Sequence, residues 1–304
     1  MILIWGLPGD RPAASVHRAL ERGGCPVMLL DQRKVMETDV ELSLGDKVEG
    51  RLHCDSRTMD LADVTAVYAR PYDIRRLPAL ENAKPGDAVW RHASRVEDML
   101  LSWLDLTPAL VVNPFAAMAT NNSKPYQAAV IRRFGFRTPA TLITTDPEAA
   151  LEFWGKYESV IYKSISGVRS IVSKVTTAHR ERLQDVASCP TQFQEFVAGV
   201  DHRVHVVGDE IYACRIQSDA DDYRYASRQD CEASIEACEL PADLNERCLA
   251  LTRELGLHVA GLDLRLTPNG EWCCFEVNPS PGFTYFQEET KQPIDDAIAR
   301  LLAG

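Results

Sequence analysis

Gly261-Leu-Asp-Leu-Arg-Leu-Thr-Pro-Asn-Gly-Glu-Trp-Cys-Cys-Phe-Glu-Val-Asn-Pro279 reads as a β-hairpin that sets two carboxylates opposite each other. Asn269-Gly270 is the pair favoured in a two-residue type I′ turn, and the flanking runs alternate with a period of two. Counting outward from that turn pairs Thr267 with Trp272, Arg265 with Cys274 and Asp263 with Glu276. Leu262, Leu264 and Leu266 then share the other face with Cys273, Phe275 and Val277, which reads as core. Like charges directly across a strand pair repel, and opposed β-carbons lie about 5 Å apart, close enough for both acids to hold one cation. Asn278 lies two residues beyond Glu276 and adds a neutral oxygen on the same face. Two carboxylates and an amide are hard oxygen ligands of the kind that suits magnesium (Mg2+) held together with substrate phosphates. The hairpin alone also admits a plainer reading, surface acids paired with Arg265 or another base.

The rest of the chain bounds the function classes. Its 304 residues, 45% hydrophobic, are long enough for two or three lobes. No apolar run reaches membrane-spanning length, so no membrane partner is expected. Met1 to Trp5, followed by Gly6 and Pro8, lacks the basic start and long apolar centre of a signal peptide, and a cytoplasmic location is expected. A formal charge of −11 argues against a nucleic-acid partner, which would call for a Lys and Arg excess. Nine cysteines, with no Cys-x-x-Cys pair, fit small residues in a reduced compartment better than disulfides or zinc.

Along the chain, residues 1 to 31 read as strand, helix, strand, although Gly6-x-x-Gly9 is not a dinucleotide fingerprint. Val64 to Tyr68 reads as a strand that ends at Arg70, where ligands tend to bind in open α/β sheets. Arg91 to Leu104 reads as a helix, and Val111-Val112 before Asn113-Pro114 closes a first lobe. Lys124 then stands at a helix start, and Ala140 to Ile143 is a strand. Asp146-Pro147 opens a helix as N-cap and first helical residue. Val160 to Lys163 is a strand before a small-residue loop, Ser164 to Ser170, with a second strand at Ile171 to Lys174. Thr191 to Val197 is a strand, and Arg203 to Val207 with Ile211 to Ile216 forms a hairpin around Gly208-Asp209.

In this order, Asn121-Asn-Ser-Lys124, Ile161-Tyr-Lys163, Gln194-Glu-Phe-Val197, Gly199-x-Asp201-x-Arg203, Gly261-x-Asp263 and Glu276-x-Asn278-Pro279 resemble the ATP-grasp superfamily, in particular RimK-like and microviridin-type peptide ligases. The similarity runs from about residue 115 to the end and extends loosely into the first lobe. It implies an α/β fold of α+β lobes: a pre-ATP-grasp domain over 1–115, a central ATP-grasp subdomain over 116–193 and a C-terminal one over 194–304. By the resemblance, Lys124 and Lys163 bind the phosphates of ATP, and Ser166, Gly167 and Arg169 lie in a loop that closes over them. That loop is shorter than the Gly-rich loops of many relatives. Gln194, Glu195, Phe196 and Val197 border the adenine, and Asp201 takes the ribose hydroxyls. Asp263, Glu276 and Asn278 carry magnesium, while Arg203, Arg215 and Arg224 steady the reacting acyl group. His202 and His205 read as packing or hairpin residues, because the oxygen ligand set is already complete.

The activity implied is ADP-forming ligation of a carboxylate to an amine through an acyl phosphate, with amino-acid, peptide or protein substrates. Two other readings stay open: a catalytically silent ATP-binding sensor or carrier, favoured by the short loop, and a phosphotransferase that stops at a phosphorylated product. Relatives commonly pair or form tetramers, so a homo-oligomer is compatible with the resemblance.

Overall fold

The apolar run Ile-Leu-Ile-Trp forms β1 (Ile2–Gly6), buried along its whole length as a central parallel strand covered on both faces must be. In the computed structural model, which describes residues 1–45, 48–164, 173–218 and 233–304, this strand organises the first lobe. Asp10 caps α1 (Arg11–Arg22) by accepting from the Ala13 amide, with Pro12 in the first turn. The chain returns as β2 (Val27–Asp31), parallel to β1. A separate antiparallel sheet follows: β3 (Thr38–Leu44), β4 (Val48–Cys54) and β5 (Arg57–Asp60). Then β6 (Ala66–Arg70) pairs with the other side of β1, and α2 (Ala88–Leu106) leads to β7 (Leu110–Val112). The resulting order, β2-β1-β6-β7, changes direction between β1 and β6, which makes the carboxyl ends at Gly6 and Arg70 the crevice of the sheet.

After α3 (Phe115–Met118), α4 (Lys124–Arg133) begins with Pro125 in its first turn. The central sheet contains β8 (Thr141–Thr144), β9 (Val160–Ser164), β10 (Ser173–Lys174) and β11 (Thr191–Glu195), in the order β10-β9-β11-β8. α5 (Pro147–Lys156) is capped by Asp146, as its sequence indicates. It covers one face around Ala150, Val160 and Phe193. Because β11 continues to Glu195, Gln194 and Glu195 belong to this central sheet, two residues past the expected boundary at 193.

The last sheet is antiparallel, in the order β14-β13-β12-β15-β16. Its strands are β12 (Val200–Val207), β13 (Glu210–Ser218), β14 (Ala233–Cys238), β15 (Val259–Leu266) and β16 (Trp272–Asn278). Its apolar face packs Val204, Leu262, Leu264 and Val277 against α4 and α6 (Ala242–Glu254). α7 (Thr284–Thr290) lays Phe286 on the other face, against Cys214 and Ile216. α8 (Ile294–Ala303) joins α1 over the first sheet, where Ile298 and Leu302 share a cluster with Ile4, Val16 and Leu20. A buried hydrogen bond of 2.7 Å from Ser15 to Asp295 fastens the two helices together. No helix among the described residues is long and apolar enough to cross a membrane.

The β15–β16 hairpin corrects the expected register in an instructive way. The Gly270 amide donates to Thr267 O, the Thr267 amide donates to Glu271 O, and only Gly270 takes a positive φ, at 80°. The connection is therefore a three-residue loop, Pro268-Asn269-Gly270, with Gly in the left-handed position. Leu266 pairs with Trp272, Arg265 with Cys273 and Leu264 with Cys274, each one residue off the count made from a two-residue turn. A β-bulge at Phe275 then restores Asp263 opposite Glu276. The bulge also puts Cys274, in place of Phe275, in the apolar cluster, and Phe275 lies half-buried with the Arg265 guanidinium 5.2 Å from its ring centre.

Candidate functional site

Directly opposed residues in an antiparallel sheet share a face, so the pairings Arg203 with Asp263 and Asp263 with Glu276 set an arginine and two acids in one row across β12, β15 and β16. Arg203, 6% exposed, forms an ion pair with Asp263. Its Nε donates to His205 Nε2 at 3.4 Å, and the Phe286 ring lies against both groups. Burial, with the adjacent Arg203 charge, pushes the His205 pKa well below its ordinary value, so the imidazole stays neutral and can accept that bond. Gly261 makes the arrangement sterically feasible. A β-carbon there would stand 2.2 Å from Arg203 Nη2 and 2.8 Å from Pro281 Cβ. Gly261→Ala is accordingly expected to displace the guanidinium and to cost about 1–3 kcal/mol in overpacking. Urea unfolding checks the stability, and a parallel nucleotide-turnover assay should show the larger loss.

Glu276 receives a different cation. Lys124, at the start of α4, places Nζ 2.8 Å from Glu276 Oε1 and donates to Asn121 Oδ1 at 2.7 Å. With side-chain exposures of 32% and 33%, the Lys124–Glu276 pair contributes no more than about 1 kcal/mol and can exchange partners at little cost. One turn further along α4, buried Gln127 grips the edge of β16: its Nε2 donates to Val277 O at 2.8 Å and its Oε1 accepts from Val277 N at 3.1 Å. The backbone between Glu276 and Asn278 is thus fixed from outside the sheet. Asn278 Oδ1 accepts from the Ser280 amide at 2.9 Å, which orients the amide and leaves a second lone pair. Arg70 reaches the same turn from the first lobe, donating to Asp10 Oδ2 at 2.7 Å and to Ser280 Oγ at 2.7 Å.

On the central sheet, Ile161, Lys163 and Gln192 share the face away from the α5 core, with Gln194 and Lys174 both opposite Ile161. No local sequence signal brings Lys174 to the face of Lys163, since Lys174 reads there as an ordinary strand residue. At the end of β11, Gln194 Nε2 donates to Thr141 Oγ1 at 3.0 Å, and Glu195 pairs with Arg137 and accepts from the Ala140 amide. Phe196 lies under Lys174 Nζ at 4.6 Å and Arg265 at 5.7 Å, beside buried Val197. Gly199, at φ 150°, lets the chain pass Leu266 O where a β-carbon would approach to 2.2 Å. Asp201 accepts a two-pronged bond from Arg265, at 2.7 and 2.8 Å, rather than pointing out unpartnered.

Arg215 does not join this row. Arg203 stands opposite Cys214, so alternation turns Arg215 to the other face, where it pairs with Glu236 at 2.9 Å near the sheet edge. The grouping of Arg203 with Arg215 around one reacting group is thereby corrected. Ser166, Gly167, Arg169 and Arg224 lie outside the described residues. His202 and His205 are packing residues as expected; His202 stacks edge-on against Trp272 with ring centres 4.8 Å apart.

Among the described residues no three Asp, Glu, His or Cys side chains gather into a metal cluster. The donors present are Asp263, Glu276 and Asn278. Two opposed carboxylates that draw cationic side chains from separate elements, with an oriented amide beside them, suit a hard divalent ion that completes its shell with phosphate and water.

A family model for the RimK-like ATP-grasp domain matches residues 121–302. The chain belongs to this family. The ATP-grasp fold extends to solved structures over essentially the whole length. MdnC, a macrocyclase from Microcystis aeruginosa MRC bound with precursor peptide MdnA, is 24% identical over 100% of this chain and 99% of its own, with a TM-score of 0.85. A RiPP-associated ATP-grasp ligase from Chryseobacterium gregarium, in complex with ADP and a leader and core peptide, is 22% identical over 99% and 96%, at 0.84. The ATP-grasp ligase PsnB, complexed with a variant minimal precursor, Mg and ADP, is 26% identical over 99% and 97%, at 0.80. No curated protein matches the chain. Family and neighbours together support an ATP-dependent ligase.

Proposed function

We propose that this ATP-grasp protein joins a carboxylate to an amine on a peptide substrate, through an acyl phosphate, and releases ADP and phosphate. The observation that carries the reading is the row Arg203, Asp263, Glu276, fixed across three strands within a RimK-like ATP-grasp domain. The peptide is favoured over a free amino acid because PsnB, at 26% identity, was solved with its precursor.

ATP would lie between the Lys163 and Lys174 face of the central sheet and the acidic row, with Phe196 and Val197 as the apolar wall for the base. Two ammonium groups on flexible stems suit the phosphates. Asp263, Glu276 and Asn278 would hold magnesium, which when bound neutralises phosphate charge. Arg203, immobilised by Asp263, His205 and Phe286, presents positive charge where a substrate carboxylate would approach. One carboxylate oxygen attacks the γ-phosphorus and the bond to the ADP oxygen breaks. The amine then attacks the acyl carbon, loses a proton to solvent, and expels phosphate that keeps the original carboxylate oxygen. Positioning and charge stabilisation supply the acceleration, and no protein nucleophile takes part.

An oxygen-18 experiment tests the route. With a peptide substrate labelled in its carboxyl group, one labelled oxygen is expected in the released phosphate, and the product is lighter by one water when both groups lie on the same peptide. Labelled oxygen that leaves in water or in AMP instead of in phosphate while amide forms would reject the acyl phosphate.

A further inference from the structure

We infer that Lys124 is an internal stand-in for the metal: it neutralises Glu276 until nucleotide draws it away, so that metal entry depends on nucleotide entry. The inference rests on the proposed reading of Asp263, Glu276 and Asn278 as the metal site. Its basis is the contrast between the two cations that hold the opposed acids. Arg203 is buried, stacked against Phe286 and bonded to His205. Lys124 is one-third exposed, on a flexible stem at the first turn of α4, and its contacts are one oxygen of Glu276 and the Asn121 amide oxygen. One cation is built in and the other can leave.

The charge balance gives the arrangement its consequence. With Lys124 in place, the two acids face two positive side chains, and the site offers a divalent ion no net attraction. Without Lys124 the row carries one uncompensated negative charge. Departure of Lys124 need not disorder Glu276, because Gln127 holds both backbone groups of Val277 independently of the ion pair. The phosphates of an arriving nucleotide supply the new partner for Lys124, as an ammonium group favours, and at the same moment supply oxygen ligands for the ion.

Manganese, read by electron paramagnetic resonance, is a probe of the nucleotide-free protein that needs no turnover. Wild type is expected to bind manganese at least ten-fold more weakly than Lys124→Met, and to gain affinity when a non-hydrolysable ATP analogue is added. Adding Glu276→Gln to Lys124→Met should abolish the gain; Lys124→Gln, polar and uncharged, is the replacement should the Met variant fold poorly. Equal manganese affinity in wild type and the Lys124 variants, or a gain that survives Glu276→Gln, would overturn the inference. Its failure is separable from that of the ligase reading: ADP formation by wild type with no change in manganese binding rejects the stand-in alone. Nucleotide-gated manganese binding without ADP formation rejects ligation alone.

Discussion

Glu276→Gln is expected to reduce ADP formation by about 10²–10³-fold, the scale seen when a preorganised group that stabilises developing charge is removed. The fold should survive. Glu276 is one-third exposed and its pair with Lys124 is weak, so its loss should change stability by no more than about 1 kcal/mol. The isosteric amide keeps the space and removes the charge that opposes Asp263 across the strands. Steady-state ADP release with saturating ATP and magnesium, beside a denaturant curve for each protein, separates the two effects. ADP release at the wild-type rate would contradict the role given to this carboxylate.

Asn113→Ala should have the largest effect on stability, about 3–5 kcal/mol, although Asn113 touches no reacting group. Its side chain is buried and makes four hydrogen bonds to the backbone: Nδ2 donates to Val259 O at 2.6 Å and Pro279 O at 2.5 Å, and Oδ1 accepts from His258 N at 2.8 Å and Val259 N at 3.0 Å. A single amide thus ties the end of the first sheet to the start of β15 and to the residue after Asn278. Alanine leaves these groups without partners, at about 1–3 kcal/mol for each that water cannot reach. The expected result is a lowered urea midpoint with an unchanged slope, which identifies lost stability rather than an altered unfolded state.

Neither Asn113 nor Gln127 announces itself in sequence. Each acts through backbone groups more than a hundred residues away, and no local period or cap encodes such a contact. Local patterns served well where the interactions are local. Asp146 and the Gly208-Asp209 turn fall where their chemistry places them, and Gly208 takes φ 57°. The sheet of β3, β4 and β5 lacks the usual glycine or asparagine signal at one of its turns. Its two-residue β4–β5 turn uses Asp55 and Ser56, at φ 51° and 61°, in positions where Gly or Asn is the usual signal.

The pairing of Asp263 with Glu276 survives two departures from the simplest hairpin. A turn one residue longer than expected shifts the register, and the bulge at Phe275 shifts it back. Arg215 shows the opposite outcome. A one-residue difference from the partner of Arg203 decides the face, and residue type alone could not reveal it. The family resemblance, by contrast, rested on motifs distributed from Asn121 to Pro279, and such an order survives errors of one residue.

ADP-forming activation of a carboxylate at the Asp263 and Glu276 site is the proposed reaction. Mass spectrometry of wild-type protein with ATP, magnesium, hydroxylamine and fractionated peptides and small molecules tests it most directly. ADP together with a hydroxamate of the carboxylate substrate is expected, both reduced about 10²–10³-fold in Glu276→Gln. AMP and pyrophosphate in place of ADP, or ATP bound and unconsumed in every fraction, would contradict it.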